Sequence, residues 1–267
     1  MIRDITIGQY YKADSVIHRL DPRVKLMGTL IFIISLFMGM NIWIYAVVTV
    51  ALAVVIKMSR IPLKFMVRGL KSIVILIIIS AVFNLFLTPG DVLIQIWKLT
   101  ITYQGLKMAI FMVVRLIYLI VGTSLMTLTT TPNNLTDGLE KGLGFLKVIK
   151  VPVHEIAMMM SIALRFIPIL IEETDKIMKA QMARGADFEN GSLIKRAKAM
   201  VPILVPLFVS AFRRANELAM AMEARCYHGS EGRTKMKPLK YEKRDRIAYI
   251  SMVLYLGVII SVKIIAA

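Results

Sequence analysis

Ala180-Gln181-Met182-Ala183-Arg184-Gly185 closes one long helical run, and Ala221-Met222-Glu223-Ala224-Arg225-Cys226 closes the next, 41 positions later. Both read Ala-x-x-Ala-Arg followed by a small residue. One such arginine is accounted for by the negative end of a helix dipole, an interaction worth about 0.3–1 kcal/mol. A dipole, however, accepts Lys or Arg anywhere in the last turn. It does not require alanine before the arginine and a small residue after it, twice. Small neighbours leave a guanidinium uncovered, and its planar fork can then enter a pocket on another molecule. The two tips therefore read as paired plugs, and the helices that carry them organise the fold.

Those helices are predicted over about 152–184 and 193–225. The first begins after Pro152, contains Pro168 and ends at Gly185; the second carries Pro202 and Pro206 in its early turns. Asp187 to Ser192 forms the turn between them. Each is apolar at its start and charged towards its end. Ala211, Ala215 and Ala219 repeat every four residues, as do Ala157 and Ser161 on the other helix, a spacing that lets helix backbones approach closely. These five residues are the expected helix-crossing contacts. Met158, Met159, Met160 and Met200 form an adaptable apolar surface of the kind that docks varied partners.

The remainder of the chain is a membrane sequence. It has 267 residues, 57% of them hydrophobic, a net charge of +17 and three histidines. The mean hydropathy is +0.69 and the apolar residues come in blocks; such blocks are the signature of spanning helices. The strong positive charge would suit nucleic acid, but no RNA- or DNA-binding motif is present. The basic residues flank apolar blocks, as membrane topology requires, so no nucleic-acid partner is expected. The single cysteine excludes an internal disulfide and a multi-cysteine metal site. No removable signal peptide is expected.

The expected fold class is an all-α integral membrane protein with about five transmembrane helices and two long crossed cytoplasmic helices. Residues 1–23 form a cytoplasmic N-terminal segment, in which Asp21 caps the first helix and Pro22 occupies its first turn. Residues 24–128 hold four spans, at about 24–40, 42–56, 72–87 and 106–128. The stretch 57–71 carries five basic and no acidic residues and is assigned to the cytoplasm. The nearly uncharged 88–105, with Trp97 and Tyr103 as interface anchors, lies outside. Arg115 sits near mid-depth in the fourth span, and with no carboxylate in any of the four it is expected to bind backbone carbonyls or Asn84. Residues 129–246 carry twenty Lys/Arg and thirteen Asp/Glu, too many to cross a bilayer, and form a cytoplasmic coupling domain. A short helix at about 135–143, capped by Asn133 or Asn134, opens it, and the basic linker 229–246 closes it. The final span lies within 247–267, about 247–262, with the C-terminus outside.

Chemistry is absent from the pattern. There is no phosphate-binding Gly-x-x-x-x-Gly-Lys-Ser/Thr loop, no Gly-x-Ser-x-Gly and no His-Glu-x-x-His. His18, His154 and His228 lack ligand spacing, so neither a metal nor a cofactor is expected. Glu172-Glu173 with Asp175 is read as a solvated helix face, with Glu172–Lys176 and Asp175–Lys179 as ordinary i,i+4 pairs. An intramembrane enzyme would need a polar constellation in the spans. A secondary transporter would usually show inverted repeats and intramembrane carboxylates. Neither is present.

Three stretches together resemble a known family. They are His18-x-Leu20-Asp21-Pro22-Arg23-x-Lys25, Leu164-Arg165-Phe166-Ile167-Pro168, and the doubled tips. They resemble the transmembrane T components of energy-coupling factor transporters, over essentially the whole chain. The resemblance implies a multi-pass cell-membrane scaffold that performs no catalysis. It implies docking of Ala183-Arg184-Gly185 and Ala224-Arg225-Cys226 into two ATPase subunits, and a separate substrate-binding membrane S component lying against the long helices. Cys226 stands where glycine is common in the family. Vitamin or other micronutrient uptake through a shared module is the implied role; a dedicated cobalt or nickel importer is the alternative within the family.

Overall fold

The computed structural model describes residues 10–96, 99–186, 188, 192–229, 236 and 238–265. Within them the chain is mostly helical: α1 (Pro22–Phe37), α2 (Ile42–Ser59), α3 (Leu63–Leu87), α4 (Tyr103–Thr129), α5 (Pro132–Gly142), α6 (Val153–Ala183), α7 (Leu193–Glu223) and α8 (Lys243–Ile265). A 3-10 helix, Gly144–Ile149, lies between α5 and α6, and strands β1 (Val92–Ile96) and β2 (Leu99–Thr102) pair in an antiparallel hairpin before α4. The first nine residues, the anchor Trp97, most of the 187–192 turn and residues 230–235 and 237 of the linker fall outside the described residues. The chain divides into two compact units, Gly8–Gly138 with Leu239–Ala267, and Leu139–Pro238, the division falling inside α5.

In the first unit α1 starts as its sequence dictates. The Asp21 carboxylate accepts the Arg23 amide at 2.9 Å and Pro22 takes the first helical position. Leu36, Ile44, Tyr45, Val48 and Ile259 form one buried cluster; Leu52, Ile61, Met66, Val121, Leu125 and Leu128 form another. At Gly105 a side chain would begin 2.9 Å from the Leu85 carbonyl oxygen, so only glycine lets α4 start this close to the end of α3. These cores are small beside the apolar surface left outside. Trp43, Ile75, Leu76, Val253 and Leu254 are all exposed. A hydrocarbon environment rather than water accounts for that surface.

Among the described residues, four helices are long and apolar enough to cross a membrane: α2, α4, α6 and α8. This set differs from the expected spans. The second, fourth and last are in it; α1 has 16 residues, and the described apolar stretch of α3, Ile73–Leu87, coincides with the expected third span. The first half of α6, read from sequence as part of a cytoplasmic helix, meets the same criterion.

Three local expectations need correction. The basic stretch 57–71, expected as a cytoplasmic loop, is mostly helical: α2 runs to Ser59, Arg60 turns at φ 55°, and α3 starts at Leu63 after Pro62, which cannot donate into a continuing helix. The region 88–105, expected only as a connecting loop, contains the β1–β2 hairpin. The cap of α5 is neither Asn133 nor Asn134, since the Thr131 hydroxyl accepts the Asn134 amide at 3.3 Å and Pro132 is already helical.

Candidate functional site

In the second unit α6 and α7 run past each other in opposite directions. The Gln181 side chain donates to the Pro202 carbonyl at 3.4 Å and Arg214 donates to Glu173 at 3.2 Å. Beyond that pair, Ile162, Phe166 and Leu170 face Ala211, Ala215, Ala219 and Met222 across a groove of about 310 Å³. The small-residue stripe of α7 thus faces the middle of α6, while Ala215 and Ala219 stay exposed. Ala157 is buried and Ser161, exposed, donates its hydroxyl to the Ala157 carbonyl at 2.9 Å.

The two tips are built alike, bond for bond. In α6 the amides of Arg184 and Ala186 donate to the Gln181 carbonyl, and the Gly185 amide donates to Met182. In α7 the amides of Arg225 and Tyr227 donate to the Met222 carbonyl, and the Cys226 amide donates to Glu223. Both are Schellman caps, with the residue after the arginine in the left-handed region: φ is 88° at Gly185 and 54° at Cys226. The recurring small residue therefore has a cause the sequence did not reveal, because it is where the chain must reverse. Cysteine there costs roughly 1–2 kcal/mol of left-handed strain that glycine avoids.

Each cap leaves its arginine outside. Ala183, Arg184, Ala224 and Arg225 are exposed, and neither guanidinium has a side-chain partner among the described residues. Because the helices are antiparallel, the tips lie towards opposite ends of the pair. Gln181 is level with Pro202, so Arg225 lies some 23 residues further along α7, on the order of 35 Å at 1.5 Å per residue.

Of the methionines, Met159, Met160 and Met200 are exposed and Met158 is half-buried. Sequence reading missed a wider feature around Met200. Val201, Leu204, Val205, Phe208, Val209 and Phe212 are exposed with it, while Ile203 and Ser210 are buried on the other side of α7. The 3.6-residue periodicity was there to be read, but Pro202 and Pro206 drew attention to bending instead of to the face.

Back in the first unit, the N-terminal motif is more than a helix start. The Asp21 amide donates to the buried Asp245 carboxylate at 2.9 Å, and that carboxylate also accepts the Glu242 amide at 2.8 Å. Arg23 pairs with Asp21 and stacks over the Tyr241 ring at 3.8 Å. The Lys25 ammonium donates to the carbonyls of His18, at 3.1 Å, and Thr129, at 2.8 Å. One segment thus ties together the start of α1, the end of α4 and the start of α8. His18 is held on both ring nitrogens, 2.7 Å from the Ser15 hydroxyl and 3.0 Å from the Tyr11 carbonyl. The carbonyl can only accept, so Nε2 carries the proton and Nδ1 accepts from serine. Burial pushes the His18 pKa below the ordinary imidazole value. Asp14, exposed, is held below the usual carboxylate range by its hydrogen bond from Arg19.

Arg115 is buried, as a mid-span charge must be, but its partners are not those expected. Its Nε donates to the Tyr45 hydroxyl at 3.0 Å and its guanidinium lies 5.1 Å from the Phe37 ring centre. Asn84 instead donates to the Ser80 carbonyl in its own helix. Among the described residues no group of three His, Cys, Asp or Glu side chains is placed to hold a metal ion.

The profile of the CbiQ family, described as cobalt transport protein, matches residues 13–236. The energy-coupling factor transporter transmembrane protein EcfT of Clostridium kluyveri is 57% identical over 250 residues, covering 93% of both chains. The chain belongs to the EcfT family. The EcfT of Thermosediminibacter oceani is 56% identical over 250 residues, 94% of each chain, and that of Bacillus subtilis 47% identical over 254 residues, 95% of this chain and 96% of its own. As a member of the EcfT family, the chain is a membrane component of a multi-subunit energy-coupling factor transporter.

Proposed function

We propose that this chain is the non-catalytic coupling subunit of an ATP-driven importer, linking two ATPase subunits to a substrate-binding membrane S component. One observation carries the reading: two helices end in matching caps, each holding an exposed arginine, at opposite ends of an antiparallel pair. Two separate tips suit two separate partners. Each guanidinium would enter a groove on one ATPase and make charge-assisted hydrogen bonds there. ATP hydrolysis belongs to those partner chains. Closing and opening of the ATPase pair would move the tips, and the packed helices would carry the motion to the S component. The exposed face of α7 from Met200 to Phe212, with Met158, Met159 and Met160 on α6, is the surface we assign to that component. Residues 1–23 and the charged ends of α6 and α7 lie on the cytoplasmic side in this arrangement. Vitamins or other micronutrients are the cargo class. Transport and co-purification of the ATPases, measured on arginine variants of the tips, test the reading directly.

A dedicated cobalt importer is the second reading, favoured by the description of the matching family profile. Uptake of cobalt and of labelled vitamins by cells carrying the intact transporter separates the two.

A further inference from the structure

The 3-10 turn Gly144–Ile149 takes no part in the coupling scheme, yet it leaves three apolar side chains largely exposed: Phe145 is 66% exposed, Val148 87% and Ile149 71%. Its backbone is closed on itself. The Leu146 amide donates to the Leu143 carbonyl at 2.9 Å and the Val151 amide to the Leu146 carbonyl at 3.3 Å, while Lys150 reverses the chain at φ 60°. The three side chains therefore stand out from a formed turn, not from a slack loop. A turn with satisfied peptide groups can enter a partly apolar layer at low cost.

Charge indicates what covers it. From Lys141 to His154 the sequence holds three lysines and no acidic residue, and Lys141 and Lys150 are exposed on either side of the apolar tip. The nearest carboxylate before them, Glu140, is engaged by His154 at 2.8 Å. An apolar pocket on a protein would satisfy the side chains and leave the cations idle. An anionic headgroup layer over hydrocarbon satisfies both. Directly after the turn, α6 begins with exposed Ile156, Met159 and Met160, in a helix apolar enough to lie in a bilayer.

We infer that the turn is a membrane wedge, with Phe145, Val148 and Ile149 at the boundary between headgroups and acyl chains of an anionic leaflet and Lys141 and Lys150 on its phosphates. The inference adds to the coupling reading an in-plane anchor close to the start of α6. It rests on that reading only for which leaflet is meant.

The test uses full-length Cys226→Ser protein carrying Val148→Cys labelled with an environment-sensitive fluorophore, in nanodiscs. Val148 is so exposed that its replacement leaves the packing untouched. In discs containing phosphatidylglycerol the emission should shift to the blue and be quenched by nitroxides on shallow acyl carbons. With Lys141→Gln and Lys150→Gln together, or in phosphatidylcholine alone, most of that quenching should disappear. The same fluorophore at Lys179→Cys should stay aqueous. Aqueous emission from position 148 in both lipids overturns the inference. So does a blue shift that appears only when the other transporter subunits are added and ignores the nitroxides, which would make the turn a protein interface. ATPase co-purification by the protein that retains Cys226 reports separately on the coupling reading, so either can fail alone.

Discussion

The Asp21 amide donates to the carboxylate of Asp245, 2.9 Å away and 224 positions along the chain. The same carboxylate accepts the Glu242 amide, so one buried side chain caps α8 and holds the approach to α1. Asp245→Ala removes the acceptor of the buried Asp21 amide, costing about 1–3 kcal/mol, and of the part-buried Glu242 amide, which water can reach at a smaller cost. The purified protein should lose several degrees of thermal midpoint in detergent. Asp245→Asn keeps one acceptor oxygen and should lose about half as much.

His18 supplies a pH dependence. Its folded pKa lies below the ordinary value because burial disfavours the imidazolium. The native state therefore favours the neutral ring. Stability is fully present above the unfolded-state pKa of about 6.5 and declines as pH falls from there through the depressed folded value. Thermal midpoints should drop between pH 7.5 and 5.5, and His18→Gln, which does not titrate, should remove His18's share of that slope. An unchanged slope would mean that other groups set it.

What the sequence yielded and what it withheld divide by range. The long helices were legible to within a residue or two, because Pro152, Gly185 and the turn after Arg225 are local signals. Asp21 as a cap and Pro22 beside it were legible for the same reason. Thr131 was legible too and was misread, since a proline at the first helical position places the cap just before it. The Asp21–Asp245 and Arg115–Tyr45 contacts were not, because their partners lie 224 and 70 positions away with no pattern linking them. The matching tips were visible as a motif, but the positive φ that explains their last residue is a property of the fold.

The proposed membrane orientation can be tested at the turn at Arg60. In a Cys226→Ser background, Arg60→Cys should react with an impermeant thiol reagent only from the cytoplasmic side, and Val92→Cys on the hairpin only from outside. Both positions are exposed, which Ser59, fully buried, is not. The basis is the five basic residues and no acidic one in 57–71. Labelling of Arg60→Cys from outside would invert the arrangement.

The caps make opposite predictions at equivalent positions. Gly185→Ala forces a side chain into the left-handed region and should destabilise by about 1 kcal/mol, whereas Cys226→Gly relieves that strain and, less glycine's larger loss of backbone freedom on folding, should stabilise by roughly 0.5–1 kcal/mol. Denaturation midpoints of the two variants check this. A destabilising Cys226→Gly would mean that the thiol makes a contact worth more than the strain.

The arginines decide the function. If Arg184 and Arg225 only complement their helix dipoles, removing either costs no more than about 1 kcal/mol and lysine serves as well. If each is buried in an ATPase groove, Arg184→Ala or Arg225→Ala should weaken docking by about 2–5 kcal/mol. Lysine keeps the charge but loses the planar fork, so Arg184→Lys and Arg225→Lys should each impair transport while membrane insertion stays normal. The tips are separated by far more than the distance over which substitutions couple, so the two losses should add. The double alanine variant should shed both ATPases on purification and still retain its S component, for which the apolar face of α7 is the proposed surface. Wild-type transport by that double variant, with the ATPases still attached, would reduce both arginines to ordinary helix ends.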